Sequence, residues 1–100
     1  NDFSFSKIFE RQIESLASKD DIAIGISTSG NSENIIHAIK KAKEKSLKTI
    51  TLTGKEGGKL NNLADITIKV PSENTARIQE AHITILHIIC ELIDKEFENE

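Results

Sequence analysis

The fold is set by the run Ile22-Ala-Ile-Gly-Ile-Ser-Thr-Ser-Gly-Asn-Ser-Glu-Asn-Ile-Ile36. Its first five residues are uncharged and rich in β-branched isoleucine, which predicts a buried strand. Four hydroxyl side chains and one glycine follow within six positions, and an amphipathic helix begins directly after them. A polar loop between a strand and a helix lies at the carboxyl edge of an open α/β sheet, where ligands bind.

The chemistry of this loop favours an anion, most simply a phosphate. The amino end of a helix presents unpaired N–H groups and a partial positive charge. Serine and threonine hydroxyls add donors without bulk, and Gly30 allows a close approach of the backbone. The phosphate would be held by hydrogen bonds, without a lysine. The alternative is an ordinary junction in which one Ser or Asn caps the helix, but four hydroxyls exceed that need.

The composition narrows the class of protein. One hundred residues make at most one domain, and 37% hydrophobic residues suffice for a core. A net charge of −3 gives no electrostatic case for binding nucleic acid or an anionic membrane. The single cysteine, Cys90, excludes an internal disulfide framework and a multi-cysteine zinc site, and it fits a reducing compartment. No apolar run approaches the roughly 20 residues that a membrane span needs.

Helices and strands alternate along the predicted chain. The predicted elements are a helix over 4–17, a strand over 22–26, a helix to about 45, a strand over 49–53, at best a short helix over 60–63, a strand over 65–70 and a long helix from 75 to about 97. Strands joined by helical crossovers predict an α/β fold, a parallel sheet with helices on both faces. Three strands are few for this architecture and the chain lacks a starting Met, so we expect part of the sheet to lie outside it.

The last predicted helix is nearly all apolar at its centre, which predicts burial on most sides. It nevertheless carries Gln79, Glu80, His82 and His87, and buried polar groups need partners. At about 100° per residue, Glu80 and His87 share a stripe and Gln79 lies about 80° from His87, so all three are expected to face one cavity. His82 lies some 140° from His87 and is interpreted as a core or interface residue.

Histidine passes protons near neutral pH, so His87 is the candidate general acid or base. Cys90, one turn later among isoleucines, is interpreted as a core residue. Arg77 in the first turn is open to two interpretations, a contact with a ligand or a surface ion pair.

Three segments together resemble the sugar isomerase (SIS) domain family, and within it the phosphoheptose isomerases. These segments are Ile26-Ser-Thr-Ser-Gly-Asn-Ser32, Leu52-Thr-Gly-Lys-Glu-Gly-Gly58 and Arg77-Ile-Gln-Glu-Ala-His82. The resemblance implies that residues 1–100 form the C-terminal part of one Rossmann-like, flavodoxin-like SIS domain. It also implies conversion of D-sedoheptulose 7-phosphate to D-glycero-D-manno-heptose 7-phosphate, which supplies the heptose of lipopolysaccharide or capsule.

The resemblance also implies roles for individual residues. The residues that match substrate-binding positions are Asn1, Asp2, Ser27, Thr28, Ser29, Ser32 and Gln79. His87 matches the histidine that transfers a proton, and in metal-bound members His87 and Gln79 match zinc ligands. The family implies a cytoplasmic homotetramer with active sites between subunits, and neither nucleic acid nor membrane as a partner.

Family members carry a second base, a glutamate, and another metal-binding histidine in a region that precedes the part matched here. No position of this chain matches either residue, so the remaining zinc ligands are expected from outside it. We therefore expect this chain alone not to turn over substrate. The alternatives are a non-catalytic SIS protein that binds a sugar phosphate or a replication initiator, an isomerase of another sugar phosphate, and a structural interaction module.

Overall fold

The computed structural model describes residues 10, 13–15, 18 and 20–98. The elements in these residues are β1 (Ile22–Ile26), α1 (Glu33–Glu44), β2 (Lys48–Gly54), a 3-10 helix (Gly58–Leu60), β3 (Ile66–Val70) and α2 (Thr75–Glu98). The order of the elements, the three strands and the two long helices agree with the sequence prediction to within a few residues. The short helix was predicted over 60–63 but lies at Gly58–Leu60, so that prediction is wrong in position. The helix predicted over 4–17 lies largely outside the described residues, although residues 10 and 13–15 are helical.

The three strands form one parallel sheet in the order β1-β2-β3. In this register Ile24 is the partner of Ile50, which in turn is the partner of Ile66. The predicted α/β fold with helices on both faces is confirmed, because α1 packs on one face and α2 on the other. All three strands run in the same direction, so their carboxyl ends and the loops that follow meet at one edge.

The face under α1 holds the described part of the core. Gly25 lies against the side chains of Ile35 and Ile39, so that α1 packs closely on β1. Ile39 and Leu60 are fully buried in the same cluster. Three threonines of β2 also lie on this face and are fully buried: Thr49, Thr51 and Thr53. Thr51 bonds its hydroxyl to that of Thr67 on the neighbouring strand at 3.1 Å, which offsets the cost of burying it.

The face under α2 is covered mainly at β2 and β3. Gly54 leaves no room for a Cβ atom because the Ile78 side chain of α2 lies directly against it. The prediction that β1 is buried is wrong for its isoleucines: Ile22 is 60% exposed, and Ile24 is 39% exposed. The helix that covers this face crosses beside them, so the apolar side chains of β1 are left partly uncovered by the described residues.

The prediction that α2 is buried on most sides is also wrong for the described structure. Ile83, Ile88 and Leu92 are exposed, and so is Cys90, which was expected in the core. A helix of 24 residues is about 36 Å long, whereas a strand of five residues spans about 17 Å. Only the first half of α2 therefore lies against the sheet. No helix among the described residues is long and apolar enough to cross a membrane.

Candidate functional site

The hydroxyl-rich loop continues directly from β1 at the carboxyl edge of the sheet. The N–H of Ser27 donates to the carbonyl oxygen of Leu52 at 3.0 Å, which extends the strand ladder into the loop. The N–H of Gly30 donates to the Ser27 hydroxyl oxygen at 3.0 Å, and the N–H of Asn31 donates to that of Ser29 at 3.1 Å. These two serine oxygens therefore shape the loop as well as border the site.

The glycine-rich turn after β2 fixes the position of this loop. Leu60 donates its N–H to the carbonyl oxygen of Gly30 at 2.9 Å, and Lys59 donates its N–H to Oδ1 of Asn31 at 2.8 Å. Gly30 has φ +75°, and a Cβ atom on it would collide with the carbonyl group of Gly57. We expected Gly30 to bring the backbone close to a ligand, but the close approach that requires glycine is to this neighbouring turn.

Two other hydroxyls of the loop remain available. Among the described residues, neither the Thr28 hydroxyl nor the Ser32 hydroxyl forms a hydrogen bond. Ser32 occupies the position before α1 without capping it through its side chain. The interpretation of the loop as a simple serine-capped junction therefore fails. The two hydroxyls stand instead beside the amino end of a 12-residue helix, where N–H groups and the helix dipole favour an anion.

An open cleft of about 580 Å³ connects this loop to the first half of α2. The residues that line it are Ile26, Ser27, Thr28, Ser29, Ser32, Gln79, His82, Ile83 and Leu86. The volume lies within the usual range for small-molecule sites. None of these lining residues is a lysine or an arginine. An anion in the cleft would therefore be held by hydroxyls and N–H groups, as the sequence predicted.

The polar residues of α2 divide between the cleft and the surface. Gln79 lines the cleft together with the four hydroxyl residues, as expected. The expectation that Glu80 faces the same cavity is wrong, because its carboxylate is exposed and pairs with the Arg77 guanidinium at 3.1 Å. Arg77 therefore forms a surface ion pair, the second of its two interpretations. Adjacent helix positions differ by about 100°, so Glu80 turns away when Gln79 points inward.

His82 is the site residue that sequence reasoning placed elsewhere. It lies three positions after Gln79 on the same stripe of α2 and lines the cleft. The residue is only 2% exposed, and Nε2 of its ring lies 2.9 Å from the carbonyl oxygen of Thr53. The i, i+3 spacing from Gln79 allowed this position, but it did not distinguish the stripe through His82 from the one through Glu80 and His87. The expected core interpretation is half right, since the ring is buried and also borders the site.

His87 is exposed and is not among the lining residues, although Leu86 beside it is. The expectation that it shares one cavity with Gln79 is therefore not met within this chain, and its proton-transfer role stays a prediction. Asn1 and Asp2, expected to bind substrate, lie outside the described residues.

The described residues do not by themselves form a zinc site. Zinc takes three or four protein ligands, and the described part of the chain contains no group of three histidine, cysteine or acidic side chains that would hold an ion. Gln79 and His87 would supply at most two ligands, so we derive no chemical step through a metal.

With this geometry established, comparison with known proteins identifies the family. The sequence matches the SIS domain over residues 3–93. The chain belongs to the SIS domain family. This SIS domain is 54% identical over 99 residues to a phosphoheptose isomerase of Aliarcobacter butzleri, a match that covers 99% of this chain and 52% of the relative. It is also 54% identical to one of Clostridium acetobutylicum over 100 residues, covering all of this chain and 51% of that relative.

Solved structures agree with the sequence relatives. A phosphoheptose isomerase from Neisseria gonorrhoeae superposes on the SIS domain with a TM-score of 0.88 at 44% identity, covering 93% of this chain and 53% of that one. One from Francisella tularensis gives a TM-score of 0.87 at 47% identity, covering 91% and 49%. The chain thus spans about half the length of the relatives it matches.

Proposed function

We propose that this SIS domain is the carboxyl-terminal half of a phosphoheptose isomerase. The reaction converts D-sedoheptulose 7-phosphate to D-glycero-D-manno-heptose 7-phosphate. The observation that carries the proposal is the cleft. In it the hydroxyls of Thr28 and Ser32, which form no hydrogen bond within the described part of the chain, lie at a helix amino end opposite Gln79, across a space suited to a phosphorylated sugar. Relatives named for this activity, 54% identical over nearly the whole chain, support the same assignment.

Different residues bind the two ends of the substrate. Thr28 and Ser32, with Ser27 and Ser29, bind the phosphate through hydroxyl and N–H donors. Gln79, on the opposite wall, binds and orients the sugar. Holding the phosphate fixes the reacting carbons against the catalytic groups, which accounts for a large share of rate acceleration in such reactions.

The chemical step moves a proton between two neighbouring carbons of the sugar through an enediol. It needs one group to remove the proton and another to return a proton to the adjacent oxygen or carbon. We assign one of these transfers to His87 and the other to a residue outside this chain. The proposal includes a zinc ion held by Gln79, His87 and ligands from outside the chain, and no step above depends on it.

We extend the proposal to a homotetramer in the cytoplasm that supplies heptose for lipopolysaccharide or capsule. The exposed Ile83, Ile88 and Leu92 of α2 support association, because large apolar patches on a surface commonly mark interfaces. An interface there would also let a group from a neighbouring subunit approach the cleft of this chain, or let the exposed His87 approach the cleft of a neighbouring subunit.

A second candidate is a SIS protein that binds a sugar phosphate without converting it. The exposed position of His87 outside the cleft favours this candidate. The two candidates share the phosphate site and differ only in the proton-transfer group.

The phosphate site is tested with the double variant Thr28→Ala, Ser32→Ala in the full-length protein. These side chains make no hydrogen bond among the described residues, so their loss should leave the loop intact. Hydrogen bonds to a charged group are worth about 1.5–3 kcal/mol each, so the loss of two should lower the affinity for sedoheptulose 7-phosphate at least about 100-fold by calorimetry. Thr84→Ala, on the exposed side of α2, is the matched control and should bind normally. Unchanged affinity in the double variant would remove the phosphate assignment.

Catalysis is tested with His87→Ala in the same full-length protein. We expect the rate of heptose phosphate formation to fall by about 100-fold or more, since positioned general acids and bases contribute about 10²–10⁴-fold. Binding of sedoheptulose 7-phosphate should persist, because the proposed binding contacts come from the hydroxyl loop and Gln79. Undiminished turnover would show that the proton-transfer role is wrong, and no turnover in the parent protein would favour the non-catalytic candidate.

A further inference from the structure

The His82 ring combines three features that the proposed reaction does not use. The residue is only 2% exposed, the ring borders the cleft, and one of its two nitrogens has no hydrogen-bond partner among the described residues. The bonded nitrogen, Nε2, lies 2.9 Å from the carbonyl oxygen of Thr53, the penultimate residue of β2.

The hydrogen bond to Thr53 determines which nitrogen carries the proton. A carbonyl oxygen only accepts, so Nε2 must donate its hydrogen. In the neutral ring Nδ1 then holds a lone pair and is an acceptor. Nδ1 of His82 is buried and forms no hydrogen bond among the described residues. A buried acceptor without a donor is unfavourable, so such groups in folded proteins call for a specific explanation.

The position of the ring suggests what supplies the missing donor. His82 follows Gln79 by nearly one helical turn and precedes Leu86 by another, and all three line the cleft opposite the hydroxyl loop. The loop takes the phosphate in the proposed function, so this wall faces the carbon chain of the sugar. Sugar hydroxyls are hydrogen-bond donors. Among the described side-chain rings, Nδ1 of His82 is the one buried acceptor that lacks a donor.

We propose that Nδ1 of His82 accepts a hydrogen bond from a hydroxyl group of the sugar bound in the cleft. The hydrogen bond to the carbonyl oxygen of Thr53 then fixes the tautomer of the neutral ring, which presents an acceptor to the substrate. His82 is thus a specificity-determining residue that recognises a polyhydroxylated chain beyond the phosphate. This inference rests on the proposed function, since it requires that the cleft take a sugar phosphate.

The direct test follows the His82 nitrogens by NMR in the full-length protein labelled with ¹⁵N-histidine. In the ligand-free protein Nδ1 should resonate as an unprotonated nitrogen without a hydrogen bond. Saturating sedoheptulose 7-phosphate should move that resonance in the direction of a hydrogen-bonded acceptor. Inorganic phosphate alone should leave Nδ1 of His82 unchanged, and in a uniformly ¹⁵N-labelled sample it should perturb the Thr28 and Ser29 amides.

Three NMR results would overturn the inference. The first is an Nδ1 that is already hydrogen-bonded without ligand, which would mean that a protein group fills the position. The second is an Nδ1 resonance unmoved by bound sugar phosphate, which would leave the proposed function standing. The third is the absence of any sugar phosphate binding, which would remove the proposed function as well.

A pair of substitutions separates the two nitrogens. His82→Gln places an amide N–H near the position of Nε2, which keeps a donor for Thr53 and removes the acceptor at Nδ1. His82→Asn places an amide near Nδ1, which keeps an acceptor and removes the donor for Thr53. We expect His82→Gln to raise the KM for sedoheptulose 7-phosphate about three- to tenfold, the size of one neutral hydrogen bond, with unchanged affinity for inorganic phosphate.

His82→Asn should instead lower thermal stability and change KM less than His82→Gln does. The inference is overturned if His82→Gln folds, binds sedoheptulose 7-phosphate as the parent does and only loses stability, because the ring would then be a structural anchor alone. The NMR measurement on the parent protein decides the question if either variant does not fold.

Discussion

At the residue scale, the hydroxyl side chains of this chain serve two different purposes. Ser27 and Ser29 accept N–H groups of their own loop, and Thr51 pairs with a threonine of the next strand. Thr28 and Ser32 make no such bonds among the described residues. Substitution of Ser27 or Ser29 therefore changes the fold and the site together, whereas substitution of Thr28 or Ser32 changes the site alone.

Gly30 shows how a residue can be singled out for the wrong reason. Its place in the hydroxyl-rich loop pointed to a role beside the ligand, and a positive φ is consistent with that. The structure gives it a different partner, the carbonyl group of Gly57 in the next loop. The requirement for glycine arises from two loops that are 27 residues apart, and no local pattern reports such a contact.

Asp65 is the residue whose ionisation we expect to affect stability. Its Oδ2 accepts the N–H of Thr49 at 2.9 Å and the Thr49 hydroxyl at 3.1 Å, and the N–H of Asp65 donates back to that hydroxyl oxygen at 2.9 Å. The bond from the Thr49 N–H, followed by that from its hydroxyl, holds the pKa of Asp65 below its ordinary value of 3.8.

A lowered folded-state pKa means that ionised Asp65 stabilises the fold above about pH 3.8, and that this contribution is lost as pH falls through the folded-state pKa. Asp65→Asn should therefore lower the free energy of unfolding at pH 7, and the deficit relative to the parent should shrink below about pH 3.8. Urea denaturation between pH 7 and pH 3 measures this. Asp94→Asn on exposed α2 is the control, and an Asp65→Asn deficit that grows on acidification would contradict the prediction.

At the element scale, the end of α1 is built as a Schellman motif. The N–H of Leu47 donates to the carbonyl oxygen of Ala42 at 2.9 Å, and the N–H of Ser46 donates to that of Lys43 at 3.0 Å. Ser46 itself takes φ +65°, a conformation that glycine usually occupies at this position of the motif. The motif turns the chain sharply, so that the buried Leu47 leads directly into β2.

The unfavourable φ of Ser46 predicts a stabilising substitution. The left-handed conformation costs a non-glycine residue about 1–2 kcal/mol, and glycine gives back about 0.5–1 kcal/mol through the unfolded chain. Ser46→Gly should therefore raise the free energy of unfolding by about 0.5–1 kcal/mol, measured by urea denaturation. Ser46→Ala keeps the Cβ atom and should give no gain. A glycine variant less stable than the parent would show that the strain is not there.

The stripe of α2 that faces the cleft is also an element-scale property. Gln79, His82 and Leu86 have helical spacing, so the sequence allowed this stripe as readily as the one through Glu80 and His87. The choice between them depends on how α2 is rotated against β2. The close contact of Ile78 with Gly54 sets that rotation, and it directs Glu80 to solvent.

At the scale of the whole molecule, the sheet is unevenly covered. The isoleucines of β1 and Ile66 of β3 are exposed on the face under α2, whereas the face under α1 holds the buried core cluster. The match to relatives about twice as long accords with the expectation that part of the sheet lies outside this chain. The second base of the proposed reaction would come from the same part.

The corresponding prediction is that the isolated 100-residue chain does not isomerise sedoheptulose 7-phosphate. Among the described residues, His82 is the only titratable side chain that lines the cleft, and its ring is held by Thr53. Conversion is measured by NMR of the sugar, with the full-length protein as the positive control. Turnover by the isolated chain at a rate near that of the full-length protein would show that the proposed division of catalytic groups is wrong.

The order of elements, the parallel sheet and the polar loop at its carboxyl edge were determined by the sequence itself. Each depends on local properties, namely β-branched runs, helical periodicity and the clustering of hydroxyls beside Gly30. Tertiary structure alone decided that His82 enters the cleft, that Glu80 leaves it and that β1 keeps an exposed apolar face. Those outcomes depend on where and at what rotation α2 crosses the sheet, which is a property of packing between distant residues and leaves no trace in local periodicity.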